Sequence, residues 1–186
     1  MKNLIRKSRS YRRFDGNKNQ TKEQLASLVE AARFSPSAAN LQRLRFRLVC
    51  EKEECAYLFE QLAWAGYLKD WPGPAEGERP TSYIVILTPG EPNTMLSVDM
   101  GIAAQSIMLT AVSEGLGGCM LASFQRENTD RRFAPEGYRT GLVLALGVPV
   151  ETVELEDSAD GDIHYYRLAD GTHRVPKLPL ETLIVK

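Results

Sequence analysis

The sequence predicts an α+β domain, and three observations carry that prediction. Residues 83–87 (Tyr-Ile-Val-Ile-Leu) form an unbroken apolar β run, which suits a central strand covered on both faces. Across 44–50, Leu44, Phe46, Leu48 and Cys50 alternate with Arg45, Arg47 and Val49, the period of a half-buried strand. Between Asp99 and Glu114 no residue is charged, so a helix there is apolar on nearly all sides and buried all round.

Composition narrows the class. With 186 residues, residues 1–186 are expected to form a single domain able to bury a core without disulfide or metal staples. A hydrophobic content of 43% and a charged content of 25% exclude wholesale disorder. A net charge of −1 weighs against a general nucleic-acid binder, whose domain is usually basic as a whole. Cys50, Cys55 and Cys119 are an odd set, and His164 and His173 lie far from them, so a zinc site is not expected and a reduced, cytoplasmic compartment is. No signal-peptide h-region and no apolar run of about 18 residues is seen, so the expected protein is soluble, with no membrane partner.

Taken in order, the first fourteen residues hold Lys2, Arg6, Lys7, Arg9, Arg12 and Arg13 and no acid. Such a cluster repels itself unless an anion sits in it. A nucleic-acid arm, a targeting peptide, a solvated tail and a phosphate clamp are all open at this point. Thr21 with Gln24 forms a capping box for a helix whose Leu25, Leu28, Val29 and Ala32 share one face, and Pro36 stops it. Residues 35–42 are small and polar, a loop that lets a flat ligand approach the backbone. A helix is expected over 51–68, then a long Pro/Gly loop over 69–80, either a lid or a surface excursion.

Asp99 is the expected N-cap of the apolar helix, which at about 15 residues is too short to span a bilayer. Gly115 suits its C′ position. The apolar segment 119–124 follows a glycine cluster, but neither GxxxxGK[ST] nor GxGxxG occurs, which removes a P-loop or Rossmann site. A short helix over 127–133 and a buried strand over 140–146 come next. Residues 151–162, carrying Glu151, Glu154, Glu156, Asp157, Asp160 and Asp162, read as a solvated loop whose spacing matches no calcium site. Segments 164–167 and 171–177 flank an Asp170-Gly171 turn as a hairpin tail, in which both histidines are expected to be idle.

There is no GxSxG, HExxH or CxxC pair, so in an enzyme of this sequence a cofactor carries the hard chemistry. Arg9-Ser10-Tyr11-Arg12-Arg13-Phe14 resembles the N-terminal RSxRxF element of the FMN-dependent nitroreductase family. Pro36-Ser37-Ala38-Ala39-Asn40-Leu41-Gln42 resembles its PSxxNxQ loop. The buried helix from Asp99, Gly115-Leu116-Gly117, Gly147-Val148-Pro149 and Val175-Pro176-Lys177 follow in the family's order.

The resemblance implies a mixed, mainly antiparallel sheet flanked by helices, built as an intertwined homodimer with two FMN at its interface. It implies an FMN-dependent oxidoreductase in which NADH or NADPH passes hydride to flavin N5, and a nitroaromatic, quinone or similar electron-poor acceptor then takes the electrons. A non-enzymatic flavin-binding or redox-sensing protein on the same fold is the rival. No side chain is assigned as catalytic and no metal is implied.

By the same analogy Arg9, Ser10 and Arg12 hold the phosphate and ribityl end or the flavin edge, with Lys177 as a further cation. Pro36, Ser37, Ala38 and Asn40 reach the flavin of the partner subunit, and Gln42 supports that loop. Leu121, Ala122 and Ser123 pass near flavin N5 and O4. FMN brings about two negative charges, which paired arginines suit. Departures from the family pattern are Ser8 where arginine is common, Arg43 and Leu44 after the glutamine, and Ser123 where glycine is common.

Overall fold

The computed structural model describes residues 1–91, 93–158 and 160–185. The central strands are β1 (Arg45–Val49), β2 (Ser82–Pro89), β3 (Gly117–Leu121) and β4 (Tyr138–Gly147), in the spatial order β1-β2-β4-β3 with every pairing antiparallel. β5 (Val153–Asp157), β6 (Tyr166–Arg167) and β7 (His173–Lys177) make a second sheet, in which β5 and β7 are parallel and β6 and β7 antiparallel. Taken over both sheets the pairing is mixed and mainly antiparallel, as expected, with β5–β7 as the parallel pair of strands.

The continuous apolar run in β2 exists because each face meets a different layer. Ile84 and Ile86, with Leu144 and Leu146 of β4, face α2 (Lys22–Arg33) and α4 (Thr94–Ser113) through Leu25, Leu28, Ala104, Ile107 and Met108. Tyr83, Val85, Leu87, Val143 and Ala145 point the other way, against α3 (Lys52–Glu60) and α5 (Arg126–Phe133) through Leu58, Cys55 and Phe133. Side chains alternate across a strand, so no β2 position before Pro89 is left for a solvent-facing residue.

The Thr21 capping box is present in full. Thr21 Oγ1 accepts from Gln24 N at 3.2 Å and Gln24 Oε1 accepts from Thr21 N at 2.9 Å. Gly115 ends α4 with φ +81, the left-handed conformation that favours glycine.

Four expectations change. The helix expected over 51–68 stops at Glu60, because residues 61–63 pair with 123–125: Gln125 N donates to Gln61 O at 2.8 Å and Ala63 N to Ser123 O at 3.0 Å. α4 is capped by Asn93, whose side chain accepts from Leu96 N at 3.0 Å, so Asp99 lies within the helix. At 20 residues α4 is long and apolar enough by composition to cross a membrane, yet Asp99 and its contact with the 35–42 loop mark it as the core helix between sheet and surface. The acidic 151–162 segment is not all loop, because β5 pairs in parallel with β7. The basic N-terminus is not an open arm either: Lys2–Lys7 form a short helix, α1, against α4. A short helix, α6 (Leu180–Leu183), closes the described chain.

Candidate functional site

The segment 9–14 is laced into the fold on both sides. Ser10 bridges Gly118 of β3, Tyr11 N donates to Gly118 O at 2.9 Å, and Phe14, fully buried, packs on Gly147 and bridges Pro149. Val150 N donates to Arg13 O at 3.0 Å. Glu151, its side chain only 1% exposed, accepts from the backbone N–H of both Arg12 and Arg13 through Oε1 and from Arg167 Nη2 at 3.2 Å through Oε2. One carboxylate thus fixes the backbone of the RSxRxF-like segment against the second sheet.

This lacing opens a cavity of about 290 Å³ lined by Ser8, Arg9, Ser10, Arg12, Gln105, Met108, Gly118, Met120, Tyr165, His173, Val175 and Lys177. Three of these are cations and none is an acid. Arg12 is buried, and Arg9 is half-buried with burial lowering its pKa. Arg9 Nη2 donates to Ile5 O at 2.7 Å, while Arg9 Nε and Arg12 Nε are buried without a partner among the described residues. Uncompensated guanidinium N–H groups around an acid-free cavity suit an anion, because each buried donor left unpaired costs about 1–3 kcal/mol. Arg13 is not part of the set, since its guanidinium pairs with Glu78 through Nε to Oε2 at 2.7 Å and Nη2 to Oε1 at 2.5 Å.

Of the residues expected at the site, Arg9, Ser10, Arg12 and Lys177 meet here. The others do not join them within one chain. Pro36, Ser37 and Gln42 line a second cavity of about 270 Å³ with Asp99, Arg43 and Leu44. Ala38 N donates to Asp99 Oδ1 at 2.8 Å, and Ser37 Oγ accepts from Gln42 N at 3.3 Å. Ala39, Asn40 and Gln42 hold φ of 49, 53 and 47, a run of left-handed non-glycine residues that must be held in place. Asn40 is exposed at the loop tip. Leu121 is buried at the end of β3, and Ala122 and Ser123 emerge from it exposed.

Sequence reasoning missed Gln105, Met108, Gly118, Met120, Tyr165, His173 and Val175 as cavity residues. The correction that matters most concerns His173, expected to be idle in a tail and found 1% exposed beside Arg12, with Nη1 of Arg12 3.4 Å from its Nε2. A signal was present: His173, Val175 and Lys177 sit at period two on one strand, so placing Lys177 at the site places the other two on the same face. Burial, then Arg12 and Arg167, hold the His173 pKa down at about 4. His164, in contrast, is exposed and bonds Asp162.

An acid-free, arginine-lined cavity thus lies between an antiparallel sheet and the strand β7, on an α+β core. The Nitroreductase family profile matches residues 5–148, and the chain belongs to that family. Among solved structures, an FMN-dependent nitroreductase from Clostridium difficile R20291 is 23% identical over 91% of this chain and 99% of its own, with a TM-score of 0.66. A nitroreductase family protein from Streptococcus pneumoniae TIGR4 is 18% identical over 99% of this chain and 98% of its own, with a TM-score of 0.68. Nitroreductase A from Vibrio parahaemolyticus RIMD 2210633 is 21% identical, covering 99% of this chain and 73% of its own, with a TM-score of 0.69. At these identities the likeness is one of fold. The curated proteins contain no match to this chain.

Proposed function

We propose that the protein is an FMN-dependent oxidoreductase of the nitroreductase type, working as a single-domain homodimer in the cytoplasm. The observation that carries this reading is the acid-free cavity, in which Arg9, Arg12 and Lys177 surround two buried guanidinium N–H groups with no partner among the described residues. FMN fits that donor set, since its phosphate brings about two negative charges and guanidinium groups bond phosphate in charge-assisted pairs. When bound, FMN would supply the hydride and electron transfer between NADH or NADPH and an electron-poor acceptor such as a nitroaromatic or quinone.

The chain's own residues then have binding and orienting roles. Arg9, Ser10, Arg12 and Lys177 hold the anionic end. Gly118 keeps β3 close to Ser10, and Met108, Met120 and Val175 exclude water from the cavity wall. Leu121, Ala122 and Ser123 offer backbone groups at the end of β3 for the flavin edge. The 36–42 loop, locked through Ala38 to Asp99, serves the cofactor of the partner subunit. That division of labour accounts for a second cavity built from the family-like loop yet separate from the cation set in one chain. Exposed Met95 and Val98 on α4, with Leu180, Leu183 and Ile184 near the C-terminus, supply apolar surface for a second copy. Three free thiols, two of them buried, suit a reducing compartment.

The test is to purify the protein, titrate it with FMN, and reduce the loaded protein anaerobically with NADH and with NADPH while following flavin bleaching. A colourless protein that develops no bound-flavin spectrum sinks the cofactor reading. Bound FMN that neither nicotinamide reduces removes the enzyme reading and leaves a flavin-binding protein.

A further inference from the structure

We infer that His173 is a positioning residue for Arg12: its imidazole, seated on the Tyr165 ring, accepts from the Arg12 guanidinium through Nε2 and aims the remaining N–H groups of that guanidinium into the cavity. The inference rests on the reading of this cavity as the flavin site.

Arg12 is gripped from several sides by groups far apart in sequence. Its Nη1 reaches Ser10 O at 3.3 Å and His173 Nε2 at 3.4 Å, and its Cζ lies 5.0 Å from the Tyr165 ring centroid. Tyr165 in turn packs against His173, with ring centroids 5.2 Å apart, and Tyr165 Oη accepts from Tyr67 N at 3.3 Å. Nη1 is taken up by these contacts, while Nε is buried with no hydrogen-bond partner among the described residues. A free arginine side chain carries about 2 kcal/mol of rotamer entropy. Holding one edge of the fork in advance spares part of that loss when the other edge meets an anion.

The chemistry of the imidazole fixes its role. A guanidinium only donates, so Nε2 must be the accepting nitrogen and Nδ1 carries the proton. Burial and two neighbouring arginines keep the ring neutral near pH 7, which preserves that acceptor. Its Nδ1 is buried with no partner among the described residues, an arrangement that costs stability. A phenylalanine would fill the same space against Tyr165 without burying an unpaired N–H. What only the histidine supplies is the acceptor for Arg12.

The test is a double-mutant cycle on FMN affinity, read by quenching of flavin fluorescence, using His173→Phe, Arg12→Ala and the pair. His173→Phe is expected to weaken FMN binding about 10-fold in the native background and less than about 2-fold beside Arg12→Ala. Equal losses in both backgrounds overturn the inference, because a packing defect does not depend on Arg12. An independent measurement covers a variant that fails to fold: imidazole 15N NMR of the wild-type chain without flavin at neutral pH. A neutral ring protonated on Nδ1 supports the pairing; a charged ring, or one protonated on Nε2, overturns it. A wild-type chain that binds no FMN refutes the cofactor reading, and the tautomer then decides the His173–Arg12 pairing alone.

Discussion

Substituting Gly118 with alanine probes the closest backbone approach at the site. Gly118 lies in β3 opposite Leu146 of β4, and a Cβ built there would stand 2.2 Å from Ala145 O and 3.0 Å from both Leu146 Cδ2 and Met108 Cε. The nearest of these atoms is a carbonyl in the central ladder, which cannot swing aside as a side-chain tip can. The β3–β4 pair must therefore open by about 1 Å in an interior packed as densely as an organic crystal. Overpacking of this kind costs about 1–3 kcal/mol, and a backbone clash places Gly118→Ala at the upper end. For a chain of this size that lowers Tm by roughly 5–10 °C in thermal melts followed by far-UV circular dichroism.

The site feels the same change. Gly118 O accepts from Tyr11 N, and Gly118 and Met108 both line the cation cavity, so FMN affinity falls along with Tm. Gly77→Ala is the control. Nothing lies within 4 Å of its built Cβ and its φ is outside the left-handed region, so it should stabilise by about 0.4–1 kcal/mol through the unfolded chain. A Gly118→Ala melt within about 0.5 kcal/mol of wild type would refute the close approach of β3 to β4.

Asp99→Ala removes the acceptor that holds Ala38 N and releases three left-handed residues, so hydrogen–deuterium exchange over 38–42 rises while the sheet stays protected, with about 1–3 kcal/mol lost overall. His173 makes stability depend on pH: its folded pKa of about 4 lies below the unfolded 6.5, so its contribution is full above 6.5 and disappears as pH falls to 4. Across that window the unfolded chain binds the extra proton, with a slope of at most about 1.4 kcal/mol per pH unit, and His173→Phe should flatten this limb in urea melts at stepped pH. Ser8→Arg adds a fourth cation to the cavity at the position where the family commonly has one, and FMN titration should show tighter binding by about 10-fold with an unchanged melt.

Local patterns were readable where local physics decides them. The Thr21–Gln24 box, the β2 run and the alternation of β1 each appear as expected because caps and strand periodicity are set by neighbours in sequence. Reading failed where distant partners win. The apolar spacing of Leu58, Leu62 and Ala65 suggests continued helix, but Leu62 bridges Phe124 and Ala65 takes φ 41. The charges of Glu154, Glu156 and Asp157 suggest a solvated loop, yet a parallel ladder to residues about twenty positions later makes a strand. Asp99 is a good cap by type, and so is Asn93, six residues earlier, with nothing in the sequence to rank them. Arg9, Ser10, Arg12 and Lys177 were named through the family-like motifs, and they share one cavity. His173 was not, since its environment comes from Arg12, 161 positions away.

That separation gives the site a place in time as well as in space. On a ribosome adding about 5–20 residues per second, Arg12 precedes His173 by roughly 10–30 s of synthesis. For most of that interval Glu151 and Tyr165 are also unmade, and Lys177 for all of it, so the segment from Arg9 to Phe14 lacks the carboxylate that holds the backbone of Arg12 and Arg13. The sheet core of β1 to β4 can assemble before the final strand is made, because none of its pairings needs β7. If the cavity holds the cofactor as proposed, its retention is a late event in the life of the chain, reporting that Arg12 and β7 have met.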